Sequence, residues 1–311
     1  IQLDIIVNAY DNGKSTGVCR RVFNNQILGP SDVRKNQLLQ FSLQHGQELL
    51  EPESRYSRLY QLFNLRLSAA DALSYYDQAY RTICDFEGAL DPAVYSRLLV
   101  LLRFFFFEEN VAVLRPTTLG ERFEDFSLSN IFYAASAALN GNSLQAAAKE
   151  MADILEIKDN VHLISDKSLI LKAKTASGRI IDDEGEIVAW DNPLDTISSV
   201  MLFDGKQEYT PSVDEGICGG NDSVKSIVEK ADIVIFSSGT QWSSLIPTYM
   251  HHGFAEMIQQ SKAKKYLIMN NIEDHDAAGV GAAELCGILE RYLDLNQITI
   301  VINKNACSSM N

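Results

Sequence analysis

The stretch Gln2-Leu3-Asp4-Ile5-Ile6-Val7-Asn8-Ala9-Tyr10-Asp11-Asn12-Gly13-Lys14-Ser15-Thr16-Gly17 decides the fold class. Gln2 to Ala9 is a β-rich run with one charge, Asp4. It ends in a loop of small and hydroxyl-bearing residues, and Val18 to Phe23 begins a helical pattern. A buried strand that runs through a Gly-bearing loop into a helix is the opening of a βαβ unit. Glycines let backbone approach a phosphate closely, and orphan N–H groups at the helix start favour an anion. Lys14, Ser15 and Thr16 add side-chain donors, and Arg20 and Arg21 follow. The spacing G-x-x-x-x-G-K-[ST] of a P-loop is absent, so the segment reads either as a tight turn or as an anion cradle.

The same alternation returns in the last third. Asn221 to Lys230, Pro247 to Ser261 and Ala277 to Tyr292 read as helices, and Asp232 to Phe236, Lys265 to Met269 and Gln297 to Ile302 as strands. Between these ends, Asp32 to about Asn110 carries apolar residues at spacings of three and four, such as Leu59, Leu62 and Phe63, and is predicted to be helical. Ser127 to Leu139 and Leu144 to Leu155 are two further helices around the Asn140-Gly141-Asn142 turn. Short strands are expected at Val161–Ile164, Ser168–Ala173, Gly178–Ile181, Glu186–Ala189 and Ser199–Phe203, with Asp183-Glu184-Gly185 as a hairpin tip. The expected architecture is a single α/β domain over 1–311, with a Rossmann-like, mainly parallel sheet flanked by helices. A helical cap covers about 42–125, and a small mixed β subregion about 161–204.

Bulk properties narrow the partners. Apolar residues make up 46% and charged residues 22%, which excludes a largely disordered chain. The 27 basic side chains face 41 acidic ones, for a net charge of −14, so extended nucleic acid is excluded as a partner. A small phosphorylated ligand is not, because a few local donors outweigh a distant field screened over roughly 8–10 Å. Cys19, Cys84, Cys218, Cys286 and Cys307 show no paired spacing, which argues against a disulfide framework or a zinc site and for a reducing, cytoplasmic setting. The greasiest run, Leu98 to Phe107, is broken by Arg103 and falls short of the roughly 20 residues of a membrane span. His251-His252 point in different directions on a helix and make a poor metal pair.

Three groups of residues can carry chemistry. The first is the loop Asp11–Gly17. The second is Pro30-Ser31-Asp32-Val33-Arg34-Lys35-Asn36, where Asp32 either caps a helix or pairs with Asp11. Two carboxylates about 4 Å apart repel by roughly 4 kcal/mol at an effective dielectric of 20, so bringing them together calls for a proton or a cation. Mg²⁺ takes such carboxylates together with phosphate oxygens. The third is Ser237-Ser238-Gly239-Thr240 after a strand, with Asn270-Asn271 after the next. Ligands of open parallel sheets bind at strand C-terminal ends.

Taken in order, these motifs resemble the 2-phospho-L-lactate transferase family and its bacterial gluconeogenesis-factor relatives, the CofD/YvcK grouping. Asp11-x-Gly13-x-Ser15-Thr16-Gly17-x-x-Arg20 is similar to the family's Asp-Asp-Gly-Gly-Ser-Ser/Thr-Gly run. Pro30-x-Asp32-x-Arg34-x-Asn36 is similar to its Pro-Gly-Asp-Ile/Val-Arg-Asn. Ser129-Asn130-Ile131-Phe132 resembles a Gly-Asn-Leu helix start, Ser238 to Pro247 a Gly-Ser-Leu-Tyr-Thr-Ser-Ile-Ile-Pro loop, and Asn270-Asn271-Ile272 an Asn-Val-Met. Tyr10, Lys14 and Ser31 stand where the family has Asp, Gly and Gly. The resemblance leads us to expect a further strand and phosphate loop upstream of Ile1.

The resemblance implies a nucleotide or UDP-sugar-like ligand cradled by Asn12, Gly13, Lys14, Ser15, Thr16, Gly17, Ser238, Gly239 and Thr240. Arg20 and Arg34 would supply charge, while Asn36, Asn130, Asn270 or Asn271 would read sugar or base. Asp11 and Asp32 would be catalytic or Mg²⁺ ligands. It implies a regulatory role in carbon or cell-envelope metabolism. The alternatives are transfer of a phospholactyl group from a guanine-nucleotide donor to a deazaflavin alcohol, and a non-catalytic interaction protein. Homo-oligomers are expected.

Overall fold

The computed structural model describes residues 2–108, 113–205, 207–210, 221–270 and 275–303. They form an α/β protein that divides into two compact units, residues up to Ile5 with Asp11–Val161, and Ile6–Tyr10 with His162 onward. The first strand, β1 (Ile5–Val7), is shorter than its apolar run, and the division falls within it.

In the first unit, α1 (Lys14–Val22) starts four residues earlier than the sequence predicts, so most of the small-residue stretch is helical and only Asp11 to Gly13 form the loop. Next come α2 (Ser31–Gln44) and α3 (Arg55–Asn64), the latter capped by Ser54, whose hydroxyl accepts from Ser57 N–H. The predicted helical stretch is then interrupted by β2 (Arg66–Ala69), which pairs antiparallel with β3 (Phe123–Ser127). Leu67 is buried between exposed Arg66 and Ser68, a two-residue period hidden because Leu65 and Leu67 also fit the spacing of the preceding helix.

Helices α4 (Ala72–Cys84) and α5 (Pro92–Phe106) follow, capped by Asp71 and Asp91, with Pro92 in the first turn of α5. Tyr75, Phe106, Phe123 and Phe126 are buried with ring centroids 5.0–5.9 Å apart, so these helices and the hairpin share one aromatic core. Helix α6 (Leu128–Leu139) runs straight on from β3 and is buried along ten of its residues, and α7 (Leu144–Leu155) packs beside it.

The second unit holds β4 (Val161–Leu163) from its second residue on, and Ile164 N–H donates to the Val7 carbonyl. Strands β5 (Ile170–Thr175) and β6 (Ile180–Ile181) precede α8 (Glu184–Val188), and β7 (Ile197–Asp204) and β8 (Gln207–Glu208) follow it. Their sheet has the order β6-β5-β7-β8, with antiparallel pairing throughout. The expected strand at Glu186–Ala189 and the hairpin tip before it are corrected here. Asp183 caps a short helix by accepting from Glu186 N–H at 3.1 Å, which a hairpin tip would not offer.

After α9 (Asp222–Lys230) come β9 (Ile233–Phe236), α10 (Ile246–Tyr249), α11 (Phe254–Gln260), β10 (Lys264–Ile268), α12 (Ala282–Leu289) and β11 (Thr299–Val301). These strands form a parallel sheet in the order β11-β10-β9, as the alternation predicts. Phe236 and Leu267, paired in register, are buried on one face, whereas Ile233, Ile235, Ile268 and Val301 are exposed. No helix among the described residues is long and apolar enough to cross a membrane.

Candidate functional site

The first unit gathers most of the predicted residues around the start of α1. Asp11 does not reach outward with both oxygens. Its Oδ1 accepts from Gly13 N–H at 2.8 Å, which turns the chain into the helix. The Asp11 carbonyl accepts from Arg20 Nη1 at 3.5 Å, so the almost fully buried Arg20 braces the loop from behind. A Cβ on Gly17 would lie 1.9 Å from the Asn12 oxygen, and one on Gly29 would lie 2.2 Å from the Asp11 oxygen. These positions are glycine because the loop backbone presses against them.

No side chain caps α1 and its first turn carries no acid, so its leading N–H groups keep their affinity for an anion. Lys14, the first helical residue, has φ +44°, an unusual value for a residue with a Cβ. Its side chain is exposed, while Ser15 and Thr16 are buried.

Asn130, in the first turn of α6, is 1% exposed and donates from Nδ2 to Ser15 Oγ at 3.1 Å and Thr16 Oγ1 at 3.5 Å. Its Oδ1 is buried with no hydrogen-bond partner. Arg34, on the first turns of α2, is likewise buried with an unpartnered Nε, and burial pulls its pKa down. Asp32 lies one turn before Asn36, whose Nδ2 donates to the Asp32 carbonyl at 2.8 Å. Burial raises the Asp32 carboxyl above the usual range against the pull of Lys35 at 3.5 Å, and the Asp11 charge pushes it further up. Among the described residues no group of three His, Cys, Asp or Glu side chains is placed to hold an ion.

Sequence reasoning missed Arg66 and Asp125, which lie on the unexpected β2–β3 hairpin. Arg66 Nε donates to Asp125 Oδ1 at 2.6 Å, and its Nη2 to the Asp125 carbonyl. The pKa of Asp125 is held down by Arg66 first and also by Lys14, and lowered Arg34 feels Arg66, so these charges share one neighbourhood. Without β2 nothing in the sequence links Arg66 to the loop.

The second unit carries the other predicted loop. Asn270, beyond the end of β10, grips Gly239 on both sides, its Oδ1 accepting from the amide at 2.8 Å and its Nδ2 donating to the carbonyl at 3.0 Å. Ser243 Oγ donates to Thr240 Oγ1 at 2.8 Å, and Thr240 and Ser244 share a hydroxyl contact of 2.8 Å. Residues Gln241–Leu245 form a π-helical turn, a geometry frequent at functional sites. Its first N–H groups, from Trp242 and Ser243, donate to the buried Asp276 carboxylate at 2.9 and 3.3 Å. Ser238 lies exposed in this loop, and Asn271 lies outside the described residues.

Tyr10 belongs to the interior of this unit. Its hydroxyl meets His251 Nε2 at 2.8 Å, and burial pushes His251 down to about 4. Asn8 Nδ2 donates to Thr248 Oγ1 at 3.2 Å and to the Ser244 carbonyl, fixing the end of the β1 segment.

Comparison with known proteins gives a consistent result. The family described as 2-phospho-L-lactate transferase CofD matches residues 1–309. The gluconeogenesis factor of Halalkalibacterium halodurans is 26% identical over 151 residues, covering 49% of this chain and 42% of its own length. That of Bacillus subtilis is 23% identical over 151 residues, covering 49% and 43%. The chain thus spans about half or less of the length of these curated relatives. A crystal structure of a UPF0052 family member from Bacillus halodurans superposes with a TM-score of 0.57 at 19% identity, covering 96% of this chain and 71% of that one.

Proposed function

The chain belongs to the family described as 2-phospho-L-lactate transferase CofD, and we propose that it binds a nucleotide or nucleotide-sugar with the phosphates at the start of α1. The observation that carries this reading is the unspent polar capacity beside that helix. A buried acceptor, Asn130 Oδ1, and a buried donor, Arg34 Nε, have no partner, although leaving such groups unmade costs about 1–3 kcal/mol each. A ligand with phosphate and hydroxyl groups offers what both lack. The pressed backbone at Gly17 and Gly29 keeps the loop close enough to let amides reach it.

The residues present also suit Mg²⁺. Asp11 and Asp32 are hard oxygen donors of the kind that Mg²⁺ takes together with phosphate oxygens. In this reading Asp11 and Asp32 would hold the ion, which would supply charge neutralisation for phosphate oxygens. The chain's own part is to orient the ligand with the α1 amides and with Asn130. The curated relatives are named gluconeogenesis factors, which favours a role in carbon metabolism; the regulatory and cell-envelope role is what the family resemblance adds.

Thermal unfolding with GDP, GTP, UDP, UDP-sugars and ATP, with and without Mg²⁺, tests the reading. Ligand at one hundred times its Kd should add about 2.7 kcal/mol of stability. No shift with any nucleotide would sink it and favour an interaction protein without a ligand. The family's own description favours a second reading, transfer of a phospholactyl group to a deazaflavin alcohol. There the site would act by positioning and charge stabilisation. Release of nucleoside monophosphate from a guanine-nucleotide phospholactate donor checks it.

A further inference from the structure

We infer that Lys14 is the residue that selects the ligand's outer anionic group, so that the site prefers a nucleoside diphosphate with a free terminal phosphate over the same diphosphate esterified to a sugar. The inference rests on the proposed phosphate site at α1 and narrows what that site takes.

Lys14 occupies a backbone position made for glycine. At φ +44° its Cβ crowds the following carbonyl, which in L-residues is tolerated mainly in Gly, Asn and Asp. The flanking loop leaves little choice of conformation, because Asp11 Oδ1 holds Gly13 N–H and the Gly17 and Gly29 contacts close the turn from behind. The side chain gives nothing back to folding, since it is exposed and makes no hydrogen bond or ion pair within the described residues. Its charge is felt by Asp125, which Arg66 already engages.

An independent feature, unmet buried polar capacity, lies against the same turn. The side chain of Asn130 is 1% exposed, touches Ser15 and Thr16 in the turn that Lys14 opens, and leaves Oδ1 unpartnered. The buried polar groups thus sit at the inner end of the turn and the flexible ammonium at its outer end. An inner phosphate would meet the amides, and Lys14 would meet what lies beyond it. A terminal phosphate monoester carries close to two charges near neutral pH, whereas a sugar-esterified one carries a single charge. An exposed ammonium discriminates between them modestly, by a factor of about two to five.

Calorimetric titration of the native chain and of Lys14→Met, Lys14→Arg and Lys14→Gly with UDP, UDP-glucose, GDP and GDP-mannose decides the matter. Lys14→Met keeps the length and the Cβ and removes the charge. It should weaken the free diphosphates about two- to fivefold and leave the sugar-esterified ones nearly unchanged, while Lys14→Arg keeps the native preference. Lys14→Gly should lose the same selectivity and melt at a higher temperature, which separates lost charge from lost folding. Equal weakening of both ligand classes, or of neither, overturns the role of Lys14 while the phosphate site stands. Absence of binding by the native chain overturns the site itself.

Discussion

Gly29 shows how tightly single positions are drawn at the loop. A methyl group there would sit 2.2 Å from the Asp11 oxygen and 2.7 Å from Thr16 Cγ2, one rigid and one buried neighbour. Gly29→Ala is therefore expected to lose about 1–3 kcal/mol of stability, read from the urea midpoint, and to weaken nucleotide binding. His251 makes a second residue-level prediction. It is held neutral in the fold, with its pKa pushed down by burial from 6.5 to about 4, and Lys167 adds to the shift. Between those values the unfolded chain takes up a proton that the folded chain refuses. Stability is thus full above about pH 6.5 and falls as pH drops toward 4, by about 3 kcal/mol in all. His251→Gln should flatten the pH dependence of the urea midpoint over that window; an unchanged slope would count against the assignment. Tyr10, whose hydroxyl is His251's partner, explains why an Asp-like role at position 10 is closed to this chain.

At the scale of elements, helix starts carry the chemistry and their caps set its terms. Asp32 stands in the first turn of α2, where a carboxylate is favoured by the helix dipole yet burial opposes its charge. The folded state binds this proton more tightly than the unfolded state does, so the ionised carboxyl works against folding above its folded pKa. Asp32→Asn should raise the urea midpoint at pH 7 and abolish any Mg²⁺ dependence of nucleotide binding. Pro30 occupies the N-cap of α2 and no side chain caps it, so a midpoint that falls instead would point to a structural role of the Asp32 charge in the helix dipole rather than the capping role the sequence allowed. In the second unit, the π-helical turn Gln241–Leu245 leans on Asp276 through two N–H groups. Asp276→Ala leaves those buried donors unmet and should cost about 1–3 kcal/mol, with faster amide exchange at Trp242 and Ser243.

Across the whole molecule the charge is acidic, −14, while the cations that matter are few and local. Arg20 and Arg34 are buried beside the loop, and Lys14 and Arg66 stand near Asp125. On the proposed reading a small phosphate-bearing ligand would meet those local charges, whereas a long polyanion would meet the rest of the surface as well. Duplex DNA is accordingly expected to show no retention in a mobility-shift assay at about 100 mM salt, and measurable binding there would contradict the reading.

The sequence by itself determined the α/β class and the parallel pairing of the last strands, and it singled out Asp11–Gly17, Asp32, Arg34 and Asn130, which the fold holds within one unit. Those features are local. Strand–loop–helix alternation and glycine spacing record which backbone conformations are allowed, and each is written within a dozen residues. Only tertiary structure decided which oxygens are spent and which are left over. It turned Asp11 inward to shape the loop, set Arg20 to brace it, and left Asn130 Oδ1 and Arg34 Nε unmatched. It also made β2 from a segment whose leucines fit two periodicities at once, bringing Arg66 and Asp125 to the site. The physical reason is that a short apolar run does not specify its own pairing. A strand exists only once a partner strand satisfies its N–H and C=O groups, and for β2 that partner lies more than fifty residues away along the chain.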